Sequence, residues 1–411
     1  MRIRGQPVAE SAVRAMLRGG MPHALLLAGP AGVGKTTLAL DIAAALLCQG
    51  ALAGDAGDDA AGRPCGECRS CRMVAHGNHP DLHRLAPAGP GSLISIGGRD
   101  ERGVRDLVSD LALLPVEGGA RVAIVEGAHR MSEDAQSAFL KTLEEPPAGT
   151  TIVLCADDED RLLPTIRSRC ARVRLGPMGP RDVEAILAEA GVADAPTANR
   201  LSRLAEGRPG RAIAYARAPE AVTIRAEIAR TLLDLRSAGS TARLAGIRDL
   251  ATRAGEMVAA IDAGAARADA AAGIATGSPT RGSRARGRGR GRSDGGAADE
   301  TGAPPDAPSE TPAEGRTARI PAAERRRAAL ALLQVWSAVL RDLGSAVAGQ
   351  PGSIRDRDLG DDLVAAADRI RIADVGAALG RLDVAAERLE GNVSPELVLD
   401  VLALAWAPAA A

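Results

Sequence analysis

The sequence predicts an α/β domain built on a parallel sheet, followed by all-α structure. Three observations carry that reading. Short apolar runs at residues 24–28 (ALLLA), 122–126 (VAIVE) and 151–155 (TIVLC) each precede turn or charged residues, as strands buried on both faces do. Helical patterns at Thr37–Leu47, Val104–Leu114 and Glu133–Leu143 lie between them, and alternation of this kind implies a parallel sheet. Only four residues are aromatic (Phe139, Tyr215, Trp336 and Trp406), so the cores must be packed with Ala, Leu, Val and Ile, which favours helices.

At 411 residues, with about 100–200 per domain, the chain has room for about two to four domains. The α/β unit is expected over residues 1–175, with a cysteine-rich module at about 48–71. A small helical domain is expected over 176–218, broken by the turn Glu206-Gly207-Arg208-Pro209-Gly210. A third, helical domain occupies 221–263 and resumes at 322–411. Residues 264–321, rich in Gly, Ala, Ser, Pro, Arg and Asp without apolar periodicity, read as a disordered insertion. Its run from Arg286 to Arg292 offers a contact for nucleic acid or acidic partners, although a solvated linker is the preferred reading.

The first strand leads into Gly29-Pro30-Ala31-Gly32-Val33-Gly34-Lys35-Thr36, followed by Thr37 and the first helical pattern. A GxxxxGK[ST] loop in this position places backbone N–H groups and a helix N-terminus around a polyphosphate. Lys35 would reach the β- and γ-phosphates of ATP or ADP, and Thr36 would hold Mg²⁺. The chain has only two lysines, Lys35 and Lys141, among many arginines. A lysine kept at the loop fits a site that needs a compact point charge. Lys141 has no assigned role and reads as a solvent-facing helical residue.

Cys65, Cys68 and Cys71 form C-x2-C-x2-C, and Cys48 at the end of the preceding helix can supply a fourth thiolate for structural Zn²⁺. His76, His79 and His83 are substitute ligands, and three reduced surface thiols are the plain alternative. Cys155 and Cys170 read as buried residues.

The formal net charge of −1 gives no overall bias toward nucleic acid. The N-terminus lacks the uninterrupted apolar run of a secretory signal, and no apolar stretch is expected to reach the ~18 residues of a membrane span. The expectation is a cytoplasmic protein with no membrane partner.

Further motifs follow in order: Leu140-Lys141-Thr142-Leu143-Glu144-Glu145-Pro146-Pro147, then Leu162-Leu163-Pro164-Thr165-Ile166-Arg167-Ser168-Arg169-Cys170. Together with the phosphate loop and the cysteines, over roughly residues 1–215, this series resembles the bacterial clamp-loader subunits of DNA polymerase III. The resemblance implies an AAA+ domain with a zinc module, a helical lid and a helical collar. It also implies a hetero-oligomeric ring with gamma/tau and delta subunits that loads a sliding clamp on primed DNA. A polymerase (nucleotidyltransferase) label would then belong to the assembly, not to this chain.

Two branches of that family compete, the ATP-hydrolysing gamma/tau motors and the delta-prime branch. A motor is expected to end its second apolar strand with Asp then Glu, the first supporting Mg²⁺ and the second polarising water. This chain has Glu126, a candidate Mg²⁺ contact, and Gly127, which has no side chain to act as a base. Where relatives carry a polar sensor it has Ala156, which cannot orient the γ-phosphate or water, followed by Asp157, a carboxylate expected to repel phosphate unless it meets a metal. His129 is a candidate substitute base or, preferably, a helix-start polar residue. His79-Pro80-Asp81 and Glu117-Gly118-Gly119 resemble the delta-prime branch, which is the preferred reading. On the same resemblance Arg169 is an arginine finger supplied in trans, and Arg211 a lid residue sensing nucleotide in cis. The alternatives are a gamma/tau-type motor and a zinc-bearing nucleic-acid-binding module.

Overall fold

The computed structural model describes residues 3–52, 64–87, 93–98, 102–117, 119–271, 320–368, 370–391 and 393–406. The sheet has five parallel strands: β1 (Ala24–Ala28), β2 (Leu82–Leu85), β3 (Arg121–Val125), β4 (Thr150–Ala156) and β5 (Ala171–Arg174). Their spatial order is β2-β3-β4-β1-β5. Every residue of β1, β3 and β4 is buried, because helices cover both faces. In β1 the strand period of two sends Leu25 and Leu27 to one face, where they pack with Val13, Leu38 and Ile42. Ala24 and Leu26 go to the other face with Leu107, Leu111, Phe139 and Leu143. Two apolar faces per strand explain why these strands are continuous apolar runs.

The two strands that no apolar run announces, β2 (LHRL) and β5 (ARVR), lie at the sheet edges and carry partly exposed residues. The expected helices are present as Lys35–Leu46, Val104–Ala112 and Glu133–Glu144. Ser132 caps the last of these by accepting from the Ala135 N–H, with Glu133 and Asp134 in its first turn.

Beyond the sheet, helices Pro180–Glu189, Ala195–Leu204 and Pro209–Arg217 close around Val183, Leu187, Leu201 and Tyr215. The remaining helices, Pro219–Leu235, Ser240–Ala271, Ala322–Val347, Gly360–Ala367, Ile372–Glu390 and Pro395–Ala405, share a separate core. Trp336 and Trp406 meet edge to face there, centroids 5.0 Å apart.

Two expectations change. Regular helix continues to Ala271, past the start of the insertion expected at 264; residues 272–319 of that insertion, including the basic run 286–292, lie outside the described residues. Helix Ala322–Val347 contains an 18-residue window with mean hydropathy 1.3, so an apolar stretch does reach spanning length. Half of that window is buried, and Leu332, Trp336, Val339 and Leu343 belong to the helical core.

Candidate nucleotide and metal sites

Three elements converge at the carboxyl ends of adjacent strands, where ligands of open α/β sheets bind. They are the loop after β1, Glu126 after β3 and Asp157 after β4. Gly29 has φ +148° and passes so close to Leu175 that a Cβ would lie 2.1 Å from its carbonyl oxygen. Gly32 has φ +81°, and its carbonyl accepts the Gly210 N–H at 2.9 Å, joining the loop to the start of helix Pro209–Arg217. Helix Lys35–Leu46 starts at Gly34 with no side-chain cap. Its N-terminus therefore keeps the orphan N–H groups and partial positive charge that attract an anion.

Lys35 is buried, with 7% of its side chain exposed. Its Nζ donates to the carbonyls of Gly29 (2.6 Å) and Pro30 (2.8 Å) and pairs with Asp157 Oδ1 at 2.7 Å. An ammonium has three donors, and these contacts use all three. Thr36 Oγ1 donates to Glu126 Oε2 at 3.3 Å, and Arg84 Nε donates to Glu126 Oε1 at 3.0 Å. The two groups that the sequence assigns to Mg²⁺ are thus adjacent. Gly127 takes φ +61° directly after Glu126, a left-handed position suited to glycine.

The Asp157 N–H donates to His129 Nδ1 (3.1 Å), so the neutral imidazole carries its proton on Nε2, 3.8 Å from Asp157 Oδ2. Burial holds His129 below its ordinary pKa, against the opposing pull of Asp157.

Arg169 lies beyond a short helix, Pro164–Arg167, with 35% of its side chain exposed. Its guanidinium pairs with Glu144 Oε1 at 2.5 Å and donates to the Thr165 carbonyl at 2.9 Å. The fold therefore joins the two motifs quoted from the sequence. Arg211 has its backbone against Gly32, while its guanidinium contacts Glu206 Oε2 (3.2 Å) and Gln334 Oε1 (2.7 Å). Glu206, 6% exposed, also receives Arg341 and Arg355 at 2.9 Å each. Burial raises its pKa, but the surrounding arginines outweigh burial and hold it below the ordinary carboxylate value.

The four cysteine sulfurs lie within 4.8 Å of one another. Cys48–Cys68 and Cys65–Cys71 are 4.0 and 3.9 Å apart. Tetrahedral thiolates at about 2.3 Å from a metal stand about 3.8 Å apart, so the cluster fits a four-coordinate ion. The N–H groups of Cys65, Cys68 and Cys71 point at the sulfurs of Cys48, Cys65 and Cys68 at 3.3–3.5 Å, favouring thiolates. Burial raises the Cys68 pKa, yet backbone donors from Cys71 and Gln49 bring it down to about 6. Burial pushes Cys71 up, and a bound cation would reverse that preference. The histidines stand apart: His76 contacts the Arg72 carbonyl, His79 accepts from the Asp81 N–H, and His83 faces Asp110.

Residues 6–179 match the family described as DNA polymerase III, delta subunit. Over 150 residues the chain is 43% identical to DNA polymerase III subunit delta' of Pseudomonas aeruginosa, covering 36% of this chain and 42% of that one. It is 32% identical to the delta' subunit of Escherichia coli, covering 51% of this chain and 59% of that one. Over residues 6–179 this chain is thus similar to clamp-loader subunits of DNA polymerase III. Over 194 residues the chain is 32% identical to subunit tau of Salmonella typhimurium, covering 46% of this chain and 28% of that one. The chain spans about half the length of the delta' relatives it matches.

Sequence reasoning missed Arg84 as the partner of Glu126 and Glu206 as the link between the turn before helix Pro209–Arg217 and helix Ala322–Val347. Both contacts cross long stretches of chain, and no local spacing signals them. Asp157 drew attention as a like charge toward phosphate, but its pairing with Lys35 was not foreseen.

Proposed function

We propose that this chain is a delta-prime subunit, a member of a hetero-oligomeric clamp loader that holds nucleotide with little or no hydrolysis of its own. The observation that carries this reading is Gly127, a side-chain-free residue after Glu126 and beside an otherwise complete phosphate cradle. Without a base there, water is not polarised for attack, a loss of about 10²–10⁴ in rate by general-base standards. The cradle from Gly29 to Thr37 would bind ATP or ADP, with Thr36 and Glu126 holding Mg²⁺. The four cysteines would hold structural Zn²⁺, since a closed thiolate set leaves no position for water.

Arg169 would act in trans, completing the ATP site of a neighbouring gamma/tau subunit; its partial exposure and its tie to Glu144 support that role. Partners would be gamma/tau and delta subunits, and through them a sliding clamp and primed DNA. Arg211 would couple the nucleotide loop to the collar, because the neighbouring Gly210 N–H donates to the Gly32 carbonyl and the Arg211 side chain meets Glu206 and Gln334.

The test is Arg169→Ala in a reconstituted loader. Arginine fingers contribute about 10³–10⁵ in well-studied NTPases, so ATPase at the adjoining site should collapse while assembly and this chain's nucleotide binding persist. An unchanged loader rate would refute the role.

A further inference from the structure

The Lys35–Asp157 pair is unlike the rest of the cradle, because it is an ion pair that the expected ligand must break. The ammonium has three short contacts, to Gly29 O, Pro30 O and Asp157 Oδ1, and 7% exposure. Three contacts exhaust its donors, so a phosphate oxygen reaches Lys35 only by replacing one of them. The two carbonyls are part of the loop itself and remain when a ligand arrives. Asp157 is the replaceable partner, since it stands past the end of β4 and 42% of its side chain is exposed.

We propose that Asp157 is the resident anion of the phosphate loop, a built-in competitor that a nucleotide's terminal phosphates must displace, so that the site discriminates against triphosphates. This deepens the proposed nucleotide role and rests on it. The chemistry is a like-for-like exchange, one carboxylate oxygen for one phosphate oxygen on the same ammonium. The displaced carboxylate stays tethered beside the site. There it repels each added phosphate, and most strongly the γ-phosphate, which brings charge closest to Lys35. His129 offers it a second position. The Nε2 of that ring lies 3.8 Å from Asp157 Oδ2, and its Nδ1 already holds the Asp157 backbone N–H. The carboxylate can thus turn from lysine to imidazole without moving the strand end.

The experiment is equilibrium binding of a fluorescent ADP and a fluorescent β,γ-imido ATP analogue, each with Mg²⁺, to the full chain. The proteins compared are the unaltered chain, Asp157→Asn, Asp157→Ala and Lys35→Ala. Both Asp157 variants should bind the ATP analogue about 10-fold or more tightly than the unaltered chain, the scale of one charge-assisted contact no longer broken. The gain for ADP should be smaller, and Lys35→Ala should abolish binding. Lys35-dependent binding in the unaltered chain that neither Asp157 variant tightens would overturn the proposal and leave the nucleotide reading standing. Equal gains for ADP and the ATP analogue would overturn the discrimination. Failure of all four proteins to bind either nucleotide would overturn the nucleotide reading itself, and this inference with it. Melting curves identify a variant that has not folded, and the pair of Asp157 substitutions guards against losing one.

Discussion

Glu206→Gln should weaken the joint between the turn before helix Pro209–Arg217 and helix Ala322–Val347, and the size of the effect follows from its surroundings. Glu206 is 6% exposed and accepts from Arg211 (3.2 Å), Arg341 (2.9 Å) and Arg355 (2.9 Å), with Arg208 at 3.7 Å. Breaking a fully buried pair costs about 3–5 kcal/mol. Here Arg341 and Arg355 are 44% and 47% exposed, so they rehydrate once the carboxylate is gone, and about 2 kcal/mol is expected. The isosteric amide keeps the backbone at Glu206, whose φ is +54°, so the change reports charge. The assay is urea unfolding followed by fluorescence of Trp336 and Trp406, the two tryptophans of the chain, both in the C-terminal helical core.

The pH dependence has a definite sign. Arginines hold the folded pKa of Glu206 below its ordinary value of 4.5. Its stabilisation is therefore fully present above that ordinary value and is lost as pH falls through the lower, folded one. The unaltered protein and the variant should differ at pH 7 and converge as pH falls through the lowered, folded pKa of Glu206. Equal stability at pH 7, or a difference that persists undiminished in acid, would refute the electrostatic account of this joint.

Cys68→Ser should take bound zinc from one ion per chain to a substoichiometric amount by elemental analysis and lower the melting temperature; full retention would exclude Cys68 as a ligand. Chelator treatment should destabilise the unaltered chain more than the variant, in parallel melts. Phe139→Ala, at a fully buried position against the sheet, should cost about 3–5 kcal/mol in denaturant unfolding, and a cost under about 1 kcal/mol would show that the site collapses around the gap.

The centre of the sheet is legible in the sequence because β1, β3 and β4 are covered on both faces and must be apolar throughout. The edge strands β2 and β5 are not, since Arg84, Arg172 and Arg174 face outward and break any apolar run. The phosphate loop and the cysteine spacing are legible because their chemistry is local, with ligands within a few residues of one another. Cys48 is the exception, and the end of a helix places it. The state of the loop is not legible. Lys35 and Asp157 are far apart in sequence, and whether that carboxylate opposes phosphate or occupies its place depends on where β4 ends beside β1. Arg211 shows the same limit: family resemblance points it at nucleotide, while the fold gives its guanidinium to Glu206 and Gln334.

The central claim is that this chain holds nucleotide without turning it over. The direct measurement is single-turnover release of phosphate from γ-labelled ATP by the purified chain, with Lys35→Ala as the control. Bound nucleotide and no release above the control are expected. Lys35-dependent release at a rate comparable to a working clamp-loader motor would contradict the claim.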